Sequence, residues 1–143
     1  MTIKTIMVPL DGSEPSLRAL DFAAGLAAPL GATIELVTVM DMGQLSFFEG
    51  MDASLGKDDS WKQKLQQEII QPALKHIQDG SLSVQTRILQ GAVFRTLLKH
   101  INESQTDMVV MGRTGRNAMN RILNGSVSQR LSAACPVPVT MVS

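Results

Sequence analysis

The 143-residue chain has a single cysteine, only two histidines, no net charge and no long apolar run. With Cys135 alone, no intrachain disulfide can form, and the composition fits a reducing compartment. Cys135 stands beside Pro136, where it reads as a small buried hydrophobe rather than a reactive thiol. Thirteen basic residues balance thirteen acidic ones, so a general basic surface for nucleic acid is not supported. No stretch approaches the ~18 apolar residues of a membrane span. The opening MTIKTIMVPLDG is apolar only as far as Pro9 and Asp11, too briefly for a secretory signal. Internal repeats and low-complexity tracts are missing, as is the Walker pattern with its lysine and serine or threonine. The expectation is a soluble cytoplasmic protein with no membrane or nucleic-acid partner.

What is present is alternation. At 44% apolar and 18% charged, the chain suits one folded domain over residues 1–143 with a real core. Ile3 to Leu10 (IKTIMVPL) reads as a strand that breaks at Asp11-Gly12-Ser13, a turn joined to a helix N-cap. Leu17, Leu20, Ala24 and Ala27 recur at helical spacing until Pro29 and Gly31 end the pattern. Thr33 to Met40 (TIELVTVM) is a second strand. From Asp41 to Asp59 the periodicity disappears around Phe47-Phe48, a long loop suited either to ligand contact or to packing on the core or a partner subunit. A helix capped by Ser60 follows, with Trp61, Leu65, Ile69 and Ile77 on one face, Gly80 at its end, and Pro72 predicting a kink or break.

Ser83 to Leu89 is a third strand, and Gly91 begins a helix carrying Val93, Leu97, Leu98 and Ile101. Asp107 to Met111 (DMVVM) is a short apolar fourth strand, of the kind buried on both faces. Val137 to Val142 is a fifth. Such alternation predicts a single three-layer α/β/α domain with a five-stranded parallel sheet, Rossmann-like in its layout. In that arrangement, ligands bind beyond the carboxyl ends of the strands, where the strand order reverses.

Just after the fourth strand the chain reads MGRTGRNAMNRILNGSVSQRL. A glycine inside regular structure costs about 1 kcal/mol relative to alanine, so something there favours bare backbone. Glycines let backbone N–H groups approach phosphate oxygens, and a helix N-terminus adds partial positive charge. Ser126 adds a hydroxyl, while Arg113 and Arg116 are placed either to neutralise phosphate or to stand solvated.

At these residues the chain resembles the universal stress proteins, in particular their ATP-binding branch. The branch motif is a glycine, two residues, a glycine, nine residues, then glycine and serine or threonine. Gly112, Arg113, Thr114, Gly115, the run Arg116 to Asn124, and Gly125-Ser126 satisfy it without a gap. The opening IMVPLDGSEPS, the strand GATIELVTVMD and the closing CPVPVTMV extend the resemblance over the whole chain. It implies that Asp11 lies near the ribose with Pro9 and Leu10 beside the base, and that Val39 contacts adenine. Met111, Gly112 and Gly115 would line the ribose and phosphate side, with Gly125, Ser126, Val127 and Ser128 holding the phosphates. Each has a plainer alternative: Asp11 as a turn cap, Val39 as core, Ser128 as helix surface. The chain departs from many relatives in carrying Ala92-Val93 after Gly91, where a proline-containing start is common, and in the Pro72 interruption.

The implied cofactor is ATP, with Asp11 placed to assist a bound Mg2+. Efficient turnover needs a group that activates water near the γ-phosphate, and His76 and His100 lie in helices far from the glycine loop. They read as solvated helix-face residues, and without cysteine help they make no metal cluster. The enzyme reading is therefore at most a slow ATPase. ATP pyrophosphatase chemistry is disfavoured, because its phosphate loop follows the first strand, where this chain has DGSEPS. The expected protein is a homodimer joined through Val137 to Val142, which removes an apolar sheet edge. Its nucleotide acts as a sensor or switch, ordering the glycine loop and the Asp41 to Asp59 segment and so changing a surface read by a protein partner. The alternative is a dimeric stress protein that acts through protein contacts without nucleotide.

Overall fold

The computed structural model describes residues 2–41, 60–77, 80–113 and 125–143. The strands are β1 (Thr5–Pro9), β2 (Thr33–Met40), β3 (Ser83–Gln90), β4 (Met108–Gly112) and β5 (Val139–Val142). Helix α1 is Glu14–Leu30, α2 is Ser60–Leu65, a π-helical turn covers Gln66–Ile70, and α3 (Gln71–His76), α4 (Val93–Glu103) and α5 (Gly125–Ala134) follow. The strands form one sheet in the order β3-β2-β1-β4-β5, parallel throughout. The expected architecture is the observed one.

Side-chain alternation divides the core between the two faces of the sheet. Ile6, Val8, Ile34, Leu36 and Val110 pack with Ala19, Leu20, Ala23 and Ala27 of α1 and with Ile70 and Ala73 from the helix following residue 60. Met7, Val37, Val39, Val109 and Met111 pack on the other face with Val93, Leu97 and Ile101 of α4 and Val127 and Leu131 of α5. Each fully buried Leu, Ile or Met contributes roughly 1.5–3 kcal/mol by leaving water. Met40, Trp61 and Leu65 close the carboxyl end of β2.

Helix α1 is capped by Ser13, whose Oγ accepts the Ser16 N–H. Pro29 sits inside its last turn rather than ending it, and termination falls to Gly31 at φ 64. That left-handed cap lets Ala32 N–H reach Ala27 O at 3.1 Å. Pro72 neither breaks nor ends its helix. It lacks the N–H that an α-helix would give Glu68 O, and the preceding turn widens, with Gln71 N–H reaching Gln66 O. The extra residue rotates the face, so Ile70 is fully buried while Ile69, expected on the buried stripe, is only partly buried. The helix ends at His76, short of the expected Gly80. β4 starts at Met108, one residue later than expected; the Asp107 carboxylate accepts the Lys4 and Thr5 N–H groups at 2.9 and 3.0 Å, while its own N–H donates to Thr5 O at 3.0 Å. β5 starts at Val139 rather than Val137, with Pro138 O accepting Val109 N–H at 2.9 Å. The Asp41 to Asp59 reading falls almost wholly outside the described residues.

Candidate functional site

β1 pairs with β2 on one side and β4 on the other, so the order of the chain reverses between β1 and β4. A crevice beyond their carboxyl ends is where such sheets place ligands. From β1 come Pro9 and Leu10, both buried, and half-buried Asp11. Leu10 N–H donates to Val37 O at 2.8 Å, which seats this turn against β2. Asp11 Oδ1 accepts the Ser13 N–H at 2.9 Å, the turn-capping role named as the plainer alternative.

From β4 come Met111, Gly112 and Arg113. Gly112 is pressed against the first turn of α1: a Cβ there would lie 2.6 Å from Pro15 C and 2.8 Å from Ser16 N. No side chain fits between those backbones. The first glycine of the motif therefore has a packing reason of its own. Arg113 is exposed, and its N–H donates to Val142 O at 2.6 Å, extending the β4–β5 ladder.

The first turn of α5 contributes Gly125, exposed Ser126, and buried Val127 and Ser128. Ser128 is 2% exposed, so it is not a helix-surface residue. Val39, Met111 and Val127 share one core cluster, so residues expected at the base, at the ribose and at the phosphates belong to one packed group. Leu10 belongs to the cluster on the opposite face. Gly115 and Arg116 lie outside the described residues. α5 is ten residues long, and its amino end offers backbone N–H groups and partial positive charge, which fit an anionic group.

Two features were not read from the sequence. Thr38 is fully buried in β2, and among the described residues its Oγ1 is the one buried side-chain N or O atom without a hydrogen-bond partner. Glu35, the one charged residue of β2, is 5% exposed. Its carboxylate meets His100 Nε2 at 2.7 Å and Arg87 Nε at 3.8 Å. His100 is thus not a solvated helix-face residue; an acidic residue in a buried strand was the signal that it had a partner. His76 pairs with Asp21 at 2.9 Å, with both side chains substantially exposed. Among the described residues no helix is long and apolar enough to cross a membrane.

The universal stress protein family model matches residues 2–143. Universal stress protein MJ0531 of Methanocaldococcus jannaschii is 33% identical over 144 residues, covering 95% of this chain and 81% of that protein. The solved structure of hypothetical protein MJ0577 superposes with a TM-score of 0.79 at 21% identity, covering 99% of this chain and 96% of the other. A universal stress protein in complex with cAMP superposes at 0.72 with 23% identity, covering 100% and 99%. One from Archaeoglobus fulgidus in complex with dAMP superposes at 0.69 with 18% identity, covering 100% of each chain. Family model, relative and fold agree over nearly the whole length, and the chain belongs to the universal stress protein family.

Proposed function

We propose that this chain is a cytoplasmic ATP-binding protein of stress response, in which nucleotide in the β1/β4 crevice acts as a switch. The observation that carries the reading is the placing of Asp11, Met111 and Gly112 at the reversal of strand order. The amino end of α5 joins them through the shared Val39, Met111 and Val127 cluster. The cAMP and dAMP complexes of two structural neighbours support an adenine nucleotide as the ligand. ATP supplies a triphosphate whose charge suits the first turn of α5. Gly125, Ser126, Val127 and Ser128 hold the phosphates together with Gly115, Arg113 and Arg116. Met111 and Gly112 line the ribose side, Pro9, Leu10 and Val39 the base, and Asp11 faces the ribose or an accompanying Mg2+.

Turnover is at most slow in this reading. His100 is engaged by Glu35 near the amino end of β2, and His76 by Asp21 on α1, so neither is offered as a base. Homodimerisation through β5 completes the proposal. A second reading, protein contacts without nucleotide, is favoured by one observation: packing against α1 alone accounts for Gly112.

The test is to denature the purified protein, chromatograph what it releases, and titrate ATP into wild type and a folded Gly115→Val, Gly125→Val double variant. Bound or titratable ATP that the variant loses upholds the nucleotide reading. A wild type that neither carries nor binds ATP transfers the proposal to the protein-contact reading.

A further inference from the structure

Among the described residues β3 forms the margin of the sheet opposite β5. It is eight residues long and pairs with β2 residue for residue from Ser83 to Gln90, with no bulge and no proline. Long, regular edges are templates for another strand unless they are blunted. Gly91 N–H donates to Met40 O at 3.0 Å. In a parallel ladder alternate residues turn to the same neighbour, so the odd-numbered residues of β3 face β2. Val84, Thr86 and Ile88 therefore direct N–H and C=O outward.

Beside this edge a groove of about 390 Å3 lies between the end of β3 and α4, lined by Leu89, Gln90, Arg95, Lys99, His100 and Glu103, with Thr96 on its wall. Arg95 and Lys99 are exposed, and Arg87 on β3 has a 59% exposed side chain. The opposing charges are Glu103, at the far end of α4, and Glu35, which is buried and already engaged by His100 and Arg87. Arg95 and Lys99 stand one helical turn apart, a row rather than a ring. That spacing suits successive side chains of an extended chain better than one small anion.

We propose that the β3 edge and this groove receive an extended acidic segment of a partner protein, which adds to the sheet as a further strand. Its main chain pairs with Thr86 and Ile88, and its Asp or Glu side chains reach Arg87, Arg95 and Lys99. Main-chain pairing supplies affinity, and the charges select the partner and speed encounter. The inference is independent of the nucleotide crevice.

The probe is an acetylated, amidated peptide of alternating Glu and Val matched to the eight residues of β3, titrated into the full chain and followed by backbone amide NMR. Shifts are expected at residues 83–90 and 95–100, with slowed hydrogen exchange at Thr86 and Ile88 and weaker binding as salt rises. Arg95→Glu with Lys99→Glu weakens binding by about tenfold or more. Thr86→Pro does the same by removing an outward donor while sparing the β2–β3 ladder. A version of the peptide N-methylated on alternate residues fails to bind, which keeps the test decisive should Thr86→Pro not fold. Equal binding of the N-methylated peptide, or the same shifts with inorganic phosphate alone, overturns the proposal. So does peptide-free self-association abolished by Thr86→Pro, which would make a second copy the occupant.

Discussion

Gly112 answers one demand that the structure shows, that β4 end against α1, and a second that belongs to the proposed function, that the crevice beyond it admit a nucleotide. Only the first is a matter of contact distance, and it is severe, because the atoms 2.6–2.8 Å from an added Cβ are backbone. Gly112→Ala is expected to destabilise the fold by about 3 kcal/mol, the upper part of the overpacking range, read by urea unfolding. It is therefore a poor probe of nucleotide binding, which is why the binding test uses Gly115 and Gly125. The two histidines separate as sharply. His100→Ala leaves Glu35, 5% exposed, with Arg87 as its remaining partner at 3.8 Å. The expected loss is about 2 kcal/mol, below the ~3–5 of a pair with no second partner. His76→Ala breaks a pair between exposed groups and is expected to cost under about 1 kcal/mol. Equal costs for the two would remove the distinction between them.

At the scale of elements, Pro72 shows how a local rule and a packing requirement are reconciled. A proline in a helix interior removes a donor and crowds the preceding turn. Ile70 and Ala73 are nonetheless held at full burial against the sheet, so the helix widens by one residue rather than separating from the core. Trp61 and Leu65 are four residues apart, whereas Leu65 and Ile70, the next fully buried position, are five; a continuous α-helix would have favoured Ile69. Ile70→Ala is expected to cost about 3–4 kcal/mol, while Ile69→Ala at its partly buried site costs about 1–2. Paired chemical denaturation measures the difference, and the reverse order would restore a continuous α register. The strands and α1 were legible in the sequence to within a residue or two, because β-branched runs and the Asp11-Gly12-Ser13 turn act locally. The π turn was legible only in part: Pro72 marked a kink or break, but that the helix widens instead of separating depends on its packing against a sheet remote in the chain.

At the scale of the molecule, the two margins that the described residues give the sheet differ. β5 is four residues long and half-buried, and it follows Pro138; β3 is longer and flanked by cations. Pro138 O and Val142 O accept from β4, so the same alternation turns the N–H groups of Val139 and Met141 outward. If the homodimer forms across β5, Met141→Pro removes an outward donor and is expected to yield a monomer in sedimentation equilibrium, with far-UV circular dichroism unchanged. A dimer that persists would place the interface elsewhere.

The sequence by itself determined the alternation of strands and helices, hence a parallel α/β sheet, and the glycine motif that points to the end of β4. Those signals survive because hydrophobic period, turn chemistry and glycine spacing are written over short stretches of chain. Only the tertiary structure decided that Gly112 abuts the backbone of α1, that Glu35 and His100 are partners 65 residues apart, and that Ile70 rather than Ile69 enters the core. These are contacts between segments remote in the chain, and no local pattern states which buried group will face which. The sheet settles them by bringing β2, β4 and their covering helices within touching distance.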